Sequence, residues 1–416
     1  MNGATGDSGP LFVLRCNPAT AQKSPHVNRQ TPNQTVQSSR CKHSHPPRKN
    51  TSRTWQQRKL GEVINEYVDF AVNEINLPVA TSSRSGLHLQ SDYFDGGHTG
   101  IDSSLTFRRV PEEYITYRHM SDDSIFHFNE NRLGRTVLVS KEYPVFSCTT
   151  LIDQSFLLNV LNYSADFRAF AIRQKKGGTR TRLYFSVLQN FIVSLPTIAE
   201  QARIGEFFRV LDDLIAAAKK KADLLKLKKR YYLQAIFSQQ LRFKGFTGPW
   251  QQRKLGDLLK FERPDRYIEP DGDYLSKGAT PVLTANKGFV LGYTNNPEGI
   301  YDKGPCVIFD DFTLDRKLVR CPFKVRSSAI KILTANPSVD LYFMFELLEF
   351  QKFPSLGHAR HYISVVEPWR TPVPDYLEQT HIGEMFRVMD DLIVAVTRRI
   401  ELLERQKTAY LQCLFV

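Results

Sequence analysis

The sequence predicts an α+β protein that is built twice, with two β-rich blocks that are each followed by a long helix. Three observations predict this fold. A 16-residue segment that starts at Glu200 returns at Glu378, 178 residues later (378 − 200), with twelve identical positions. A shorter segment, Trp-Gln-Gln-Arg-Lys-Leu-Gly, starts at Trp55 and again at Trp250. After each copy of the longer segment, apolar residues recur every seven positions, which indicates coiled-coil helices in a duplicated architecture.

Short runs of β-forming residues, separated by turn residues, fill each block. The predicted elements correspond: a strand, a helix and a second strand, at 136–140, 155–172 and 184–187 in the first block and at 306–309, 341–352 and 362–365 in the second. The first block is longer by 17 residues, because the shorter segment repeats at an offset of 195 and the longer one at 178. Between their shared ends the blocks differ throughout, so the same frame holds different sequences.

One long helix is predicted after Pro196 and another after Pro374. The seven-residue rows are interrupted by Lys229 and Lys407. A helix over 200–237 would be roughly 55 Å long at 1.5 Å per residue. The residues predicted to pack these helices or to bind a partner are Leu211, Leu214, Leu225, Tyr232, Met389, Leu392, Leu403 and Tyr410.

The charge of the chain favours a polyanionic partner. The net charge is +13 and the isoelectric point is about 9.4. Residues 1–54 hold eight Lys or Arg and one Asp, which gives +7 (8 − 1) and leaves +6 (13 − 7) for the rest. This segment is rich in Pro, Ser, Thr and Asn, and we predict a disordered basic tail. It is either a basic arm on nucleic acid or a segment without a role.

Several classes of protein are disfavoured by the composition. The six cysteines are scattered and form no CxxC pair, which argues against a disulfide framework and against a structural zinc site. No apolar run is long enough to span a membrane, and no secretory signal is recognisable at the start. The sequence therefore predicts a cytoplasmic protein with no membrane partner.

Catalytic motifs are absent from the sequence. It has no GxxxxGK[ST] phosphate loop, no HExxH, no GxSxG and no Asn/Asp-Pro-Pro-aromatic tetrad of the kind that DNA amino-methyltransferases use. His358 and His361 are close in sequence, but no carboxylate or thiol nearby completes a metal site. Asp310 and Asp311 either hold Mg²⁺ or, as we favour, cap a loop. We predict no catalytic and no metal-binding residues.

Two basic turns occupy equivalent places in the two halves. Each precedes the second predicted strand of its block, and each contains glycine, which lets the backbone approach a phosphate. Arginine also commonly reads guanine in the major groove. The candidate DNA-binding residues are Lys175, Lys176, Arg180, Arg182, His358 and Arg360. The alternative is that both turns merely face solvent, but the shared register of Arg182 and Arg360 favours DNA contact.

Together, these repeats resemble the specificity subunit of type I restriction–modification systems. The resemblance covers residues 55–416 and rests on two WQQRKLG segments, each followed by a Glu-Gln-x-x-Ile-Gly helix, in the family's order. It implies target-recognition domains at about 55–195 and 250–372. It also implies spacer helices at about 196–240 and 373–416, packed as an antiparallel pair on a pseudo-twofold frame. Family members usually start shortly before the first WQQRKLG-like segment, whereas this chain has 54 further residues there.

The resemblance also implies the partners of the chain. These are double-stranded DNA read as two half-sites, modification (methyltransferase) subunits and restriction (endonuclease and translocase) subunits. The chain itself would be non-catalytic and without cofactor, because S-adenosylmethionine, ATP and Mg²⁺ belong to the partner subunits. Two other classes stay open from the residues alone: a coiled-coil scaffold without DNA specificity, and an enzyme in its own right, against which the missing motifs argue.

Overall fold

The computed structural model describes residues 55–72, 77–93, 106–270, 272–286, 288–354, 357 and 359–415. The predicted disordered tail, residues 1–54, lies outside this range. The chain forms two compact units. Among the described residues, the first unit holds everything up to Ala217 together with the chain from Glu401, and the second unit holds Ala218–Ile400. Each unit is mixed α+β, which confirms the predicted fold class.

The strands of the first unit pair in antiparallel fashion. They form a four-stranded sheet, a three-stranded sheet and three two-stranded ribbons. In sheet order the strands are Ile64–Glu66, Val145–Cys148, Ile115–Tyr117 and Phe128–Glu130; then Val137–Ser140, Thr106–Val110 and Phe70–Val72; then the ribbons Gln56–Lys59 with Ile192–Leu195, Thr181–Arg182 with Met120–Ser121, and Ala80–Ser83 with Gly86–Leu89.

The second unit has a four-stranded sheet, a three-stranded sheet and one ribbon. In sheet order the strands are Leu259–Glu262, Ile330–Ala335, Cys306–Asp310 and Arg316–Val319; then Val290–Thr294, Thr280–Leu283 and Lys324–Val325; then the ribbon Gln251–Lys254 with Arg370–Val373. Strand Cys306–Asp310 is buried at every position. Because side chains alternate along a strand, Val307 and Phe309 enter one apolar core while Cys306 and Ile308 enter another.

The helices confirm the strongest predictions. The two long helices are Ile198–Phe237 and Tyr376–Phe415, each of 40 residues. The remaining described helices and helical turns are Leu60–Glu62, Gln90–Tyr93, Gln154–Tyr163, Ala165–Arg173, Phe185–Leu188, Leu255–Leu258, Asp265–Tyr267, Leu341–Phe350 and Tyr362–Val366. None of the helices in the described ranges is both long and apolar enough to cross a membrane.

Three predicted elements differ in the structure. The helix predicted over 155–172 is two helices, because Ser164 is extended and its hydroxyl accepts the Phe167 N–H at 3.1 Å. The strands predicted at 184–187 and 362–365 are wrong, since the chain forms helical turns there. In the first turn the buried residues are Phe185 and Leu188, three positions apart, which is a helical rather than a strand spacing.

A common frame recurs in both units. In the first unit the segment after Trp55 is a strand that pairs with the strand leading into a long helix, and the Gly61 N–H donates to the Gln189 carbonyl at 3.0 Å. In the second unit the Gly256 N–H donates to the Glu367 carbonyl at 2.9 Å. Each tryptophan packs edge to face against a core phenylalanine, with centroid distances of 6.0 and 6.2 Å. These contacts give the repeated WQQRKLG segment a structural purpose.

The repeated Gln and Gly of the long helices dock a shorter helix, which we call the core helix (Gln154–Tyr163 in the first unit). Asp153 caps it by accepting the Phe156 N–H at 2.8 Å. Gln201 accepts the Asp153 N–H at 3.0 Å and donates to the Pro196 carbonyl at 2.9 Å. A Cβ at Gly205 would lie 2.9 Å from the Phe156 nitrogen, so only glycine permits this approach.

The second unit repeats this docking with its own core helix, Leu341–Phe350. Asp340 caps the helix by accepting the Phe343 N–H at 2.7 Å, and Gln379 accepts the Asp340 N–H at 3.1 Å. A Cβ at Gly383 would lie 3.0 Å from the Phe343 nitrogen. The same three residue types therefore make the same contact in both units.

Within each unit, the portions of the two long helices pack in antiparallel directions. In the first unit the Phe208 and Phe415 rings are 6.1 Å apart, while Lys407 bonds Asp212 at 2.6 Å. As the first helix advances, the second therefore runs back. In the second unit Lys229 bonds Asp390, while Phe237, further along the first helix, stacks on Phe386, further back on the second. This confirms the predicted antiparallel helix pairing.

The two lysines that interrupt the heptad rows link the helices by ion pairs. Lys407 bonds Asp212, whose side chain is 52% exposed. In the second unit Lys229 bonds Asp390 at 2.7 Å and also Glu346 of the core helix at 2.7 Å, and all three are buried. Burial raises the pKa of Glu346 to about 8, although the neighbouring Lys229 opposes this shift.

We expect the stability of the second unit to fall as pH rises through about 8. The folded-state pKa of Glu346 lies above its unfolded value, so the folded protein holds the proton more tightly and loses this advantage on titration. Between about pH 5 and about pH 9 the wild-type free energy of unfolding should fall by an amount on the order of 3 kcal/mol. Glu346→Gln, which stays uncharged, should remove most of this fall. Urea unfolding at several pH values measures this.

The control is Glu298→Gln, the same substitution at an exposed position of the second unit. It should leave the pH dependence of the free energy of unfolding unchanged. A Glu346→Gln variant with the wild-type pH dependence would show that another group is responsible.

Candidate nucleic-acid interface

The basic turn of the first unit connects helix Ala165–Arg173 to the strand Thr181–Arg182. Gly177 and Gly178 have φ of 60° and 74°, the left-handed conformation that favours glycine, and they reverse the chain. The Thr181 hydroxyl lies 2.6 Å from the buried Ser124 hydroxyl, which anchors the end of the turn.

The turn lines an open cleft of about 590 Å³. The residues that contribute charge or aromatic surface to the cleft are Lys176, Arg180, Arg182 and Tyr184. Lys175 lies beside it and is also exposed. The structure therefore brings Lys175, Lys176, Arg180 and Arg182 together on one exposed edge.

Acidic neighbours engage only part of this positive charge. Arg180 donates to Asp122 at 2.8 Å. Next to it, hydrogen bonds from Arg84 and Ser121 lower the pKa of Asp123 to about 2, so this carboxylate is ionised. Within the described ranges, Lys175, Lys176 and Arg182 have no ion-pair partner. These three cations are available to a polyanion, whereas Arg180 is held in place by Asp122.

An aromatic residue of the cleft was missed by sequence reasoning. Tyr184 is 49% exposed and stacks on His119, with ring centroids 5.6 Å apart and an interplanar angle of 27°. Burial lowers the pKa of His119, so the supporting ring is neutral near physiological pH. A half-exposed tyrosine beside free cations suits contact with a nucleotide. A strand at 184–187 would not single out Tyr184, whereas the helical turn that follows it leaves its ring half exposed.

The second unit places Arg360 in the equivalent position. In the first unit the Leu183 N–H donates to the His119 carbonyl at 2.8 Å, and in the second the His361 N–H donates to the Asp311 carbonyl at 2.9 Å. Arg182 and Arg360 each immediately precede the donor. Arg360 is exposed and lies over the Phe312 ring at 5.8 Å. His358 lies outside the described residues.

Asp310 and Asp311 act as structural groups. One carboxylate oxygen of Asp310 accepts the N–H groups of Phe312 and Thr313, both at 2.9 Å. Asp311 is buried and pairs with Lys331 at 3.0 Å. Within the described residues, no group of three or more His, Cys, Asp or Glu side chains is arranged to hold a metal ion. The two aspartates fit the loop-capping interpretation.

The residues predicted for the long helices divide into two sets. Five are buried or half-buried: Leu211, Leu225, Tyr232, Met389 and Leu403. Three are exposed by 44–46%: Leu214, Leu392 and Tyr410. Tyr410 still packs edge to face on Phe207 at 5.2 Å. Leu214 and Leu392 are equivalent in the repeat (214 + 178 = 392), and both lie outside the buried contact between the two long helices.

The chain is similar in sequence and in fold to proteins of one kind. Residues 89–227 match the protein-family model described as the type I restriction modification DNA specificity domain. The chain is 35% identical over 169 residues to the type I restriction enzyme EcoR124I/EcoR124II specificity subunit of Escherichia coli. That match covers 38% of this chain and 42% of the length of the relative.

Two further similarities extend over more of the chain. The putative type I restriction enzyme MjaX specificity subunit of Methanocaldococcus jannaschii is 22% identical over 333 residues, which cover 71% of this chain and 78% of that protein. The crystal structure of a type I restriction–modification S subunit from M. genitalium superposes with a TM-score of 0.62 at 14% identity. It covers 89% of this chain and 98% of the other, which supports the fold.

We expect Arg182→Ala and Arg360→Ala each to weaken binding to duplex DNA. The loss should be about 1–3 kcal/mol if the guanidinium is bidentate to a base. If it contacts phosphate instead, the loss should be the same on all sequences and the salt dependence shallower. Fluorescence anisotropy at several salt concentrations measures both quantities.

Arg398→Ala, at an exposed position on the second long helix, is the control for loss of one positive charge. It should change affinity far less than either turn variant. Unchanged affinity in both turn variants would mean that these arginines merely face solvent.

Proposed function

Because this chain belongs to the family of type I restriction–modification specificity subunits, we propose that it is the DNA-reading component of such a complex. One observation carries this proposal. Two units share one frame and place Arg182 and Arg360 at equivalent positions, yet the side chains around the two arginines differ. A protein that reads two unequal half-sites of one DNA sequence needs this combination.

The proposed recognition domains are residues 55–195 and 250–372, and the proposed spacer helices are 196–240 and 373–416. The recurring frame supports these boundaries, because each block starts at a WQQRK strand and closes on the strand that leads into a long helix. Each long helix is continuous over 40 residues, about 60 Å at 1.5 Å per residue. Such helices are suited to set a fixed separation between two reading surfaces.

The chemistry is proposed to reside in the partner subunits. Modification subunits would transfer methyl groups from S-adenosylmethionine, and restriction subunits would use ATP and Mg²⁺ for translocation and cleavage. The role of this chain is to hold them at one DNA sequence. The absence of nucleotide-binding and base-flipping motifs from the sequence supports this division of labour.

Exposed apolar residues on the long helices are the proposed docking surface for the modification subunits. On the first helix Val210 and Leu214 are each 44% exposed and lie four positions apart, on one face of the helix. The repeat places Val388 and Leu392 equivalently, with exposures of 44% and 46%. A row of this kind on a helix that already packs on another side is typical of a surface that receives a further helix.

We expect Leu214→Glu and Leu392→Glu each to remove one of two modification subunits from the complex. A buried leucine stabilises an interface by about 1.5–3 kcal/mol, so a charge there should weaken binding at least about tenfold. Native mass spectrometry of the co-expressed proteins gives the stoichiometry.

Leu241→Glu, at a side chain that is 41% exposed beyond the end of the first long helix, is the matched control and should retain both subunits. Retention of both subunits by the double Leu214→Glu, Leu392→Glu variant would place the docking surface elsewhere.

The spacer proposal predicts that helix length sets the gap between half-sites. Four residues inserted after Ala217, with four more after Ile400, lengthen both helices by about 6 Å. B-DNA rises about 3.4 Å per base pair, so the site should keep both halves and gain one or two unspecified base pairs between them. Methylation mapping in cells that carry the reconstituted system measures the change.

Exchange of residues 55–195 for another recognition block is the complementary control. It should alter one half-site and leave the gap as it was. An unchanged gap or an altered half-site in the insertion variant would contradict the spacer role and favour a scaffold without DNA specificity.

A further inference from the structure

A phenylalanine stands exposed at a turn of the second unit. Phe312 lies between the strands Cys306–Asp310 and Arg316–Val319, and 39% of its surface is accessible. The exposed part of an aromatic side chain adds nothing to the apolar burial that stabilises a fold, because it remains in water. The turn that carries Phe312 is nevertheless fixed by several hydrogen bonds.

Buried and backbone interactions fix the conformation of this turn. Asp310 accepts the N–H groups of Phe312 and Thr313, while the Leu314 N–H donates to the Asp310 carbonyl at 3.0 Å. Leu314 has a φ of 63°, a conformation that costs free energy for a side chain other than glycine. These interactions therefore fix the backbone position from which the Phe312 side chain projects.

Asp311, which directly precedes Phe312, connects the turn to the segment that carries Arg360. Its carboxylate pairs with Lys331 and accepts the Tyr362 N–H at 2.7 Å, and its carbonyl accepts the His361 N–H at 2.9 Å. Because Arg360 directly precedes these donors, its guanidinium is brought over the Phe312 ring at 5.8 Å. A cation on an aromatic face is attracted to the ring, which orients both groups.

Polar groups surround the pair. The Thr313 hydroxyl lies 3.2 Å from the Asn286 side-chain oxygen and 3.1 Å from an Asp315 oxygen, and all three residues are exposed. A rigid apolar ring, a guanidinium and an amide are the groups that read base edges in the major groove. Phenylalanine contacts the thymine C5-methyl group, arginine contacts guanine and asparagine contacts adenine.

We propose that Phe312 is a specificity-determining residue of the second recognition domain, which contacts the C5-methyl group of a thymine while Arg360 binds beside it. This inference rests on the proposed DNA-reading function. In the first unit, Arg182 has the half-exposed Tyr184 nearby in the same cleft, so each arginine has its own aromatic neighbour. The second half-site therefore contains at least one thymine whose methyl group matters.

The experiment uses the full chain in complex with its modification subunits, after methylation mapping has defined the site. Each thymine of the second half-site is replaced in turn by deoxyuridine, which lacks only the methyl group. For the wild-type complex, one position should weaken binding by about threefold to tenfold, the worth of one buried methyl group. For Phe312→Ala, the thymine and deoxyuridine duplexes should bind equally, and both should bind more weakly than the thymine duplex binds to wild type.

Phe70→Ala is the matched control. Phe70 is 48% exposed and has Arg108 over its ring at 5.7 Å, but Arg108 is buried and paired with Glu66 at 2.9 Å. This variant should keep the full response to deoxyuridine in the second half-site. Because the turn is held by hydrogen bonds to Asp310 and 39% of Phe312 is exposed, Phe312→Ala should keep the wild-type circular dichroism spectrum.

The possible outcomes separate the two proposals. If the wild-type complex methylates a two-part site but no thymine of the second half responds, the role of Phe312 is overturned and the proposed function stands. A response that survives in Phe312→Ala has the same meaning. Loss of the modification subunits from Phe312→Ala would assign the ring to a protein contact instead. If the wild-type complex shows no two-part site at all, the proposed function fails and this inference fails with it.

Discussion

Each unit depends on the close approach between the capped end of a core helix and a glycine of a long helix. At Gly205 and Gly383 any larger residue would strike the cap and the first turn of the core helix. The neighbouring glutamine binds backbone groups on both sides of the contact. The contact needs only a capping aspartate, a glutamine and a glycine. The sequence of the rest of the block can therefore differ between the two units. This explains how one frame carries two unlike domains.

The two units resemble each other closely in their backbone contacts but not in their electrostatics. Lys229 and Lys407 are equivalent, and each bonds the equivalent aspartate of the other long helix. In the second unit the core helix adds Glu346, so two carboxylates and one ammonium group are buried together. Burial of unbalanced charge is costly, and the raised pKa of Glu346 relieves it by retaining a proton. At the equivalent pair, Asp212 is 52% exposed and one carboxylate faces one ammonium group, so the charges balance.

The two candidate reading surfaces combine a shared position with individual neighbours. The residue that follows each arginine donates its backbone N–H to a carbonyl at an equivalent strand end of its unit. This hydrogen bond fixes where Arg182 and Arg360 lie. The aromatic groups nearby are Tyr184, supported by His119, in one case and Phe312, held by a capped turn, in the other. Under the proposed function, a constant arginine with variable neighbours would allow one architecture to read different bases.

The sequence by itself determined the duplication, the two long helices, the strands that bear the strongest apolar runs and the place of the two arginines. These features are local or periodic, and the repeat made each visible twice. The turns at Phe185–Leu188 and Tyr362–Val366 were mistaken for strands, because a short apolar run fits either structure until its packing is known. Only the tertiary structure decided the surroundings of Lys229, Asp311 and Phe312, since the partners of each lie far away in the chain. The lysine that interrupts an apolar row in sequence thus becomes the charge that joins two helices.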